Sequence, residues 1–332
     1  MPSVLRSGPA LGHLLYLSRQ DVEAIALPMQ QIIDALETMF LEKGAGRTEM
    51  PPKPGIHPRD DAFIHAMPAY IPSLQSAGVK WVSGFPQNQA VGLPYIHGLM
   101  ILNDPETGIP RAVMDCTWIT AMRTGAATAV GAKHLARPDS STVGILACGV
   151  QGRSNLEALA CLFEIATVRA YDIDQAVAER FAAEMGPLLG VQIQTVSKPE
   201  QAVREMDLVV TSGPILKHPT PTIEAGWLAP GAFASPVDFD SYWTPAALAE
   251  IDRLATDDKR QMGYYRQEGY FQHTPEPYAD LGELALGTQP GRQSPTERTM
   301  SINLGLALED MATAPAIYQL AVERGIGTEL PL

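Results

Sequence analysis

Several charged side chains are of the types and in the surroundings that could do chemistry. Lys80 lies in Gly-Val-Lys-Trp-Val-Ser-Gly, residues 78–84, between Val79 and Trp81. An ammonium inside an apolar strand must meet an anion or lose its proton. Either outcome suits a site that grips a carboxylate or polarises a carbonyl; a lysine at a strand edge would instead face water. Arg123 sits in the alanine-rich run from Ile119 to Ala129. A guanidinium there needs a planar anion, supplied by a ligand or by a structural salt bridge. Lys53, in the proline-flanked run from Met50 to Pro58, reads by itself as a solvated loop lysine. Asp240 closes the run from Gly231, with Asp238 two residues earlier and on the same face if the strand continues. These acids would handle protons at the carboxyl edge of a sheet, or cap a helix in the segment after Trp243.

A second group points to a nucleotide. Residues 144–154 read GILACGVQGRS, which puts Ala147, Gly149 and Gly152 at the three positions of Gly-x-Gly-x-x-Gly. Gly149 would let the backbone approach a pyrophosphate, and the following helix would turn its N-terminus to the charge. Alanine at the first position weakens the fit and leaves an ordinary strand–turn–helix as the other reading. Asp172 ends the next strand-like run, twenty residues past Gly152. A carboxylate there accepts hydrogen bonds from a ribose 2′-OH and repels a 2′-phosphate, which favours NAD(H) over NADP(H); it could equally cap a loop.

The elements that must position these residues follow from periodicity. Leu15–Leu17 reads as a short strand. Ser18 reads as the N-cap of a helix from about Gln20, with Ile25, Ile32, Ile33, Leu36 and Phe40 on its apolar side. Prolines 51, 52, 54 and 58 exclude a helix interior. Strands are expected at 62–67, 78–83, 98–102 and 109–115, the last two forming a hairpin around Asn103–Gly108. From Trp118 to Arg137 a helix with a small-residue surface would let another backbone come close, and Pro138 stops it. Beyond it strands and helices alternate: strands at 142–148, 167–172, 191–196, 208–212, 232–237 and 253–255, helices at 151–163 and 174–184. That order implies an α/β fold with a doubly wound parallel sheet. A last helix, 304–323, carries Leu306, Leu308, Met311 and Ile317 as its apolar stripe.

Composition narrows the class. Of 332 residues, 24 are basic and 37 acidic, a net charge of −13 that disfavours nucleic acid. Charged residues make up 18%, below the roughly 25% of an average soluble protein, which hints at a subunit interface. Cys116, Cys148 and Cys161 show no paired spacing, so a reducing cytoplasm is expected. The histidines show no HExxH and no close pairing with cysteine, so no metal is expected. No stretch reaches the roughly 18 apolar residues of a membrane span. Arg6 with the run Ala10–Leu17, broken by His13, is too weak for a signal peptide.

Taken together, MPPKP (50–54), HAMPAY (65–70), GVKWVSGFPQN (78–88), the run 92–115, TAMRTGAATAVGAKHLAR (120–137), ACGVQG (147–152) and the run 303–330 resemble the ornithine cyclodeaminase/μ-crystallin family, most closely its archaeal alanine dehydrogenase branch. The resemblance implies a homodimer. Residues 1–123 with 304–332 would form an α+β substrate-binding domain that builds the dimer sheet, and 124–303 an inserted NAD-binding Rossmann domain. It implies that Lys80 is the central catalytic or substrate-carboxylate lysine and that Asp240 is the catalytic aspartate. Lys53, His65 and Arg123 would bind the substrate carboxylate and its neighbours. Arg123, Thr124, Gly149, Val150, Gln151, Asp172, Ser212, Ser235, Val237 and Asn303 would line the cofactor.

Several positions depart from the family pattern. His65 replaces the acid of cyclodeaminases and the arginine of the dehydrogenase branch. Ser235-Pro-Val-Asp-Phe-Asp240 replaces Asn-Ala-x-Gly-x-Asp, and Ser301-Ile-Asn303 replaces Phe-Asp-Ser. The tyrosine-rich segment 262–278 would form a wall near the site or a surface loop packed on its own aromatics. The leading expectation is an NAD-dependent amino-acid dehydrogenase or imine (ketimine) reductase transferring hydride at Cα of a small carboxylate substrate. The others are an ornithine-type cyclodeaminase that recycles NAD, and a μ-crystallin-like protein that holds cofactor and ligand with little turnover.

Overall fold

A computed structural model describes residues 12–59 and 62–332. Arg6 and the start of the Ala10–Leu17 run lie outside the described residues. The chain divides into two compact units, Met1–Arg123 with Leu306–Leu332, and Thr124–Gly305. One division falls inside the helix Thr117–Leu135, directly after Arg123.

The first unit is built on a seven-stranded sheet. Its order is Thr328–Pro331, His13–Leu17, Pro110–Asp115, Ile96–Asn103, Ser76–Gly84, Ala62–Ile71 and Gly55–Arg59. Only His13–Leu17 against Pro110–Asp115 is parallel. The hairpin at Asn103–Gly108 forms, its turn tied by the Asp104 carboxylate, which accepts from the Glu106 and Thr107 amides. The helix Ala307–Arg324 packs on the central strands of this sheet and against Met29–Gly44. The single helix expected after Ser18 is two. Ser18 and Asp21 make a capping box for Arg19–Ile25, but Ala26 turns left-handed at φ +48° and Pro28 supplies no N–H, so a new helix starts at Met29.

Register makes the chemistry of this sheet. Met67, Lys80, Met100 and Met114 face one another across four strands, and all are buried. The alternate face carries Trp81 opposite Leu99, 51% and 44% exposed. One residue of slip would exchange these faces.

The second unit holds an eight-stranded sheet in which every pairing is parallel. The order is Ala279–Asp280, Arg253–Thr256, Thr299–Ile302, Phe233–Pro236, Leu208–Thr211, Thr142–Leu146, Thr167–Tyr171 and Gln192–Thr195. The chain thus moves outward from Thr142–Leu146 in one direction and then in the other, as in doubly wound folds. Thr299–Ile302, not expected from the sequence, inserts between two earlier strands. The small-residue surface of Thr117–Leu135 has its use: a Cβ on Gly125 would collide with the Ser154 carbonyl oxygen. A large apolar core continues from the sheet into Phe239, Trp243, Met262 and Phe271.

Candidate functional site

In the first unit Lys80 is 1% exposed, and its row of methionines offers no hydrogen bond to an ammonium. Its counter-charge comes from the C-terminal helix: Asp310 Oδ2 lies 2.5 Å from Nζ and is 0% exposed. Arg123 Nη1 donates to Glu309 Oε2 at 2.5 Å, and its Nε lies 3.3 Å from Asp310 Oδ1. Burial pushes the Lys80 pKa down; the Asp310 charge opposes this and the Arg123 charge adds to it. Burial pushes the Glu309 carboxyl up, against the pull of Arg123. The two cations are therefore set in a four-charge cluster with two acids that sequence reasoning missed. The signal was there as Glu309-Asp310 inside an otherwise apolar helical run.

His65 pairs with Val82, two residues from Met67, the partner of Lys80. Its ring stacks on Phe63 at 4.4 Å and meets the edge of His57 at 6.0 Å. Burial, then the charges of Lys53, His57 and Lys80, pull its pKa down to about 4, so the imidazole is neutral at neutral pH. Lys53 is half-buried in the loop before Gly55–Arg59, close enough for its charge to act on His65.

In the second unit Thr142–Leu146 leads through a three-residue turn into the helix Val150–Ala160. Ala147 adopts φ +70°, the left-handed backbone that a glycine at this fingerprint position would take freely. A Cβ on Gly152 would lie 2.7 Å from the Ala147 carbonyl oxygen, while one on Gly149 would meet nothing within 4 Å. Gly149 caps the helix with no side chain, so the first-turn amides of Val150 and Gln151 head a cradle open to an anion. Asp172 Oδ2 accepts from the Cys148 amide at 2.8 Å and Oδ1 from the Asp174 amide at 3.0 Å. It thus braces the turn and keeps lone pairs for a ribose hydroxyl. These features fit a dinucleotide.

The remaining expected cofactor residues are less alike. Ser212 Oγ donates to the Ala147 carbonyl at 2.7 Å, so it belongs to the turn. The Val237 amide donates to the Thr211 carbonyl at 2.8 Å. Ser235 Oγ is buried and shares a hydrogen bond with Thr128 Oγ1 at 2.9 Å. Asn303 Oδ1 accepts from Ser301 Oγ at 2.8 Å, while its buried Nδ2 has no hydrogen-bond partner among the described residues. Thr124 opens the second unit beside Arg123 in sequence.

Asp238 and Asp240 divide sharply. Asp238 is fully buried and accepts from Thr211 Oγ1 at 2.8 Å and the Gly213 amide at 3.3 Å; burial pushes its pKa up to about 7. Asp240 is half-buried and accepts from Thr274 Oγ1 at 2.8 Å. Neither caps a helix, since Thr244 caps Pro245–Leu248. Among the described residues no cluster of His, Cys, Asp and Glu could hold a metal ion, and no helix is long and apolar enough to cross a membrane.

A parallel sheet wound both ways from a glycine turn, carried by a chain whose two ends build a separate mixed sheet, defines a Rossmann-type α/β protein with a second α+β unit. The profile of the ornithine cyclodeaminase/mu-crystallin family matches residues 14–325, and the chain belongs to that family. It is 33% identical to the alanine dehydrogenase of Archaeoglobus fulgidus over 95% of this chain and 98% of that one. The solved Thermococcus litoralis Δ1-pyrroline-2-carboxylate reductase, in complex with NADH and L-proline, is 34% identical and superposes with a TM-score of 0.87 over 95% of this chain and 99% of that one. A solved archaeal alanine dehydrogenase dimer with bound NAD is 32% identical with a TM-score of 0.86, over 96% and 99%.

Proposed function

We propose that this protein is a nicotinamide-dependent oxidoreductase of small 2-amino, 2-oxo or 2-imino acids, using NAD(H) in preference to NADP(H) and working in the cytoplasm as a homodimer. The observation that carries the reading is Lys80: an ammonium in a dry methionine row, balanced by one carboxylate, is held ready to polarise a carbonyl or imine. Arg123, its fork fixed by Glu309 and Asp310, and Lys53 would hold the substrate carboxylate. His65, being neutral, offers no negative charge to a second amine, which disfavours diamino acids and with them a cyclodeaminase. Asp240 would take or give the proton. A bound nicotinamide would supply or accept the hydride. The Asp172 carboxylate supports NAD(H), since a 2′-phosphate would meet like charge. The exposed Trp81–Leu99 face supports a sheet-mediated dimer.

The test mixes the protein with NADH, ammonia or methylamine and a panel of 2-oxo acids, adds Δ1-pyrroline-2-carboxylate as a preformed cyclic imine, and follows absorbance of the reduced cofactor. A parallel arm gives NAD with ornithine or lysine and measures ammonia. Net NADH loss, abolished in Lys80→Ala, is the expected result. Ammonia without net NADH change would replace it with a cyclodeaminase. Bound NADH with no turnover in either arm would leave a binding protein.

A further inference from the structure

Phe239, between the two acids, has φ +63°, and Phe271, four residues past the helix Lys259–Gln267, has φ +54°. Bulky residues seldom adopt this left-handed backbone, and those that do are held there by their surroundings. Here the two hold each other. Their ring centroids are 4.8 Å apart, Tyr265 and Tyr270 close on Phe239 at 5.2 and 5.5 Å, and both phenylalanines are buried. Three residues past Phe271, the buried Thr274 donates its hydroxyl hydrogen bond to Asp240 Oδ2. On the other side Asp238 is gripped by Thr211 and the Gly213 amide, and Thr211 Oγ1 also accepts from Trp243 Nε1 at 3.3 Å. The 238–240 loop is therefore clamped from two directions. Asp240 Oδ1 has no hydrogen-bond partner among the described residues.

A segment that merely covered the core would need only its rings. This one also delivers a buried hydroxyl to a half-exposed carboxylate. We propose that Thr274 is a positioning residue for Asp240 and that segment 262–278 is the brace that carries it, fixing one carboxylate oxygen and presenting the other to the substrate. The inference rests on the proton-handling role given to Asp240 above.

The test compares Thr274→Val, Thr274→Ser, Phe271→Ala and Asp240→Asn with the wild type. In hydrogen–deuterium exchange of the full chain, a peptide spanning 238–243 should exchange at least about threefold faster in Thr274→Val and Phe271→Ala, and near the wild-type rate in Thr274→Ser. In turnover, Thr274→Val should lower kcat about ten- to a hundredfold with KM little changed, and Thr274→Ser should restore it to within about threefold. Unchanged exchange in both Thr274→Val and Phe271→Ala overturns the brace whatever the turnover. A rise in KM alone, or a loss of kcat that serine does not rescue, overturns the positioning role. Full activity in Asp240→Asn, or a wild type silent on the whole panel, defeats the underlying reading instead, and the exchange rates then decide the brace by themselves.

Discussion

Replacing Asp310 by leucine leaves the Lys80 ammonium buried with its close counter-charge gone. The two side chains are 1% and 0% exposed and 2.5 Å apart, so neither can turn to water. Breaking one half of such a pair costs about 3–5 kcal/mol, because the remaining charge stays desolvated. In a unit of about 150 residues that loss lowers the unfolding midpoint by about 6–20 °C. The converse change, Lys80→Met, costs less, since Asp310 keeps Arg123 Nε at 3.3 Å. The double variant Lys80→Met/Asp310→Leu completes an all-apolar row with Met67, Met100 and Met114, and an apolar replacement of a buried pair is commonly neutral or better. It should recover most of the stability lost in Asp310→Leu. Calorimetry with urea titration checks this, fitting the two units as separate transitions where they separate. Asp310→Leu as stable as wild type, or a double variant showing the full sum of the single losses, would refute the ion pair as the link between sheet and helix.

Two further outcomes follow from single groups. The folded-state pKa of His65, about 4, lies below the ordinary 6.5, so the unfolded chain takes up the proton first as pH falls. Stability is thus lost progressively between pH 6.5 and 4, and His65→Gln should flatten that part of the curve; urea midpoints that track the wild type at every pH would contradict it. Asp172→Ala should weaken NADH binding by about ten- to a hundredfold, the worth of a hydrogen bond to a charged group. Fluorescence titration measures it, and an unchanged Kd would remove Asp172 from the cofactor's partners.

What could be read ahead of the structure depended on whether a residue's surroundings lay next to it in the chain. That Lys80 needed an anion followed from its neighbours Val79 and Trp81. That the anion is Asp310 did not, because the helix 307–324 is buried almost all round through its first half. The two acids stood out in that apolar run, but nothing local said which cations they meet. The strand–turn–helix at 142–160 and the acid after the next strand were plain, since their spacing is local. Asp238 and Asp240 seemed to share a face because strands alternate. The left-handed Phe239 turns the chain between them, burying one and leaving the other half-open. Pro28 was visible, yet the apolar spacing on both sides hid the helix break. Thr299–Ile302 alternates polar and apolar as a strand should, but it is only four residues long and buried on both faces, too short for its period to stand out.

The ion pair between Lys80 and Asp310 also orders the birth of the molecule. A ribosome completes residues 124–305 before it makes the helix that carries Asp310. The second unit can close while synthesis continues, whereas the first, although begun earlier, waits with a bare cation in its sheet and an uncovered apolar face. Of the two units, the one begun earlier is completed later, and during that interval its methionine row is the surface a chaperone would have to shield.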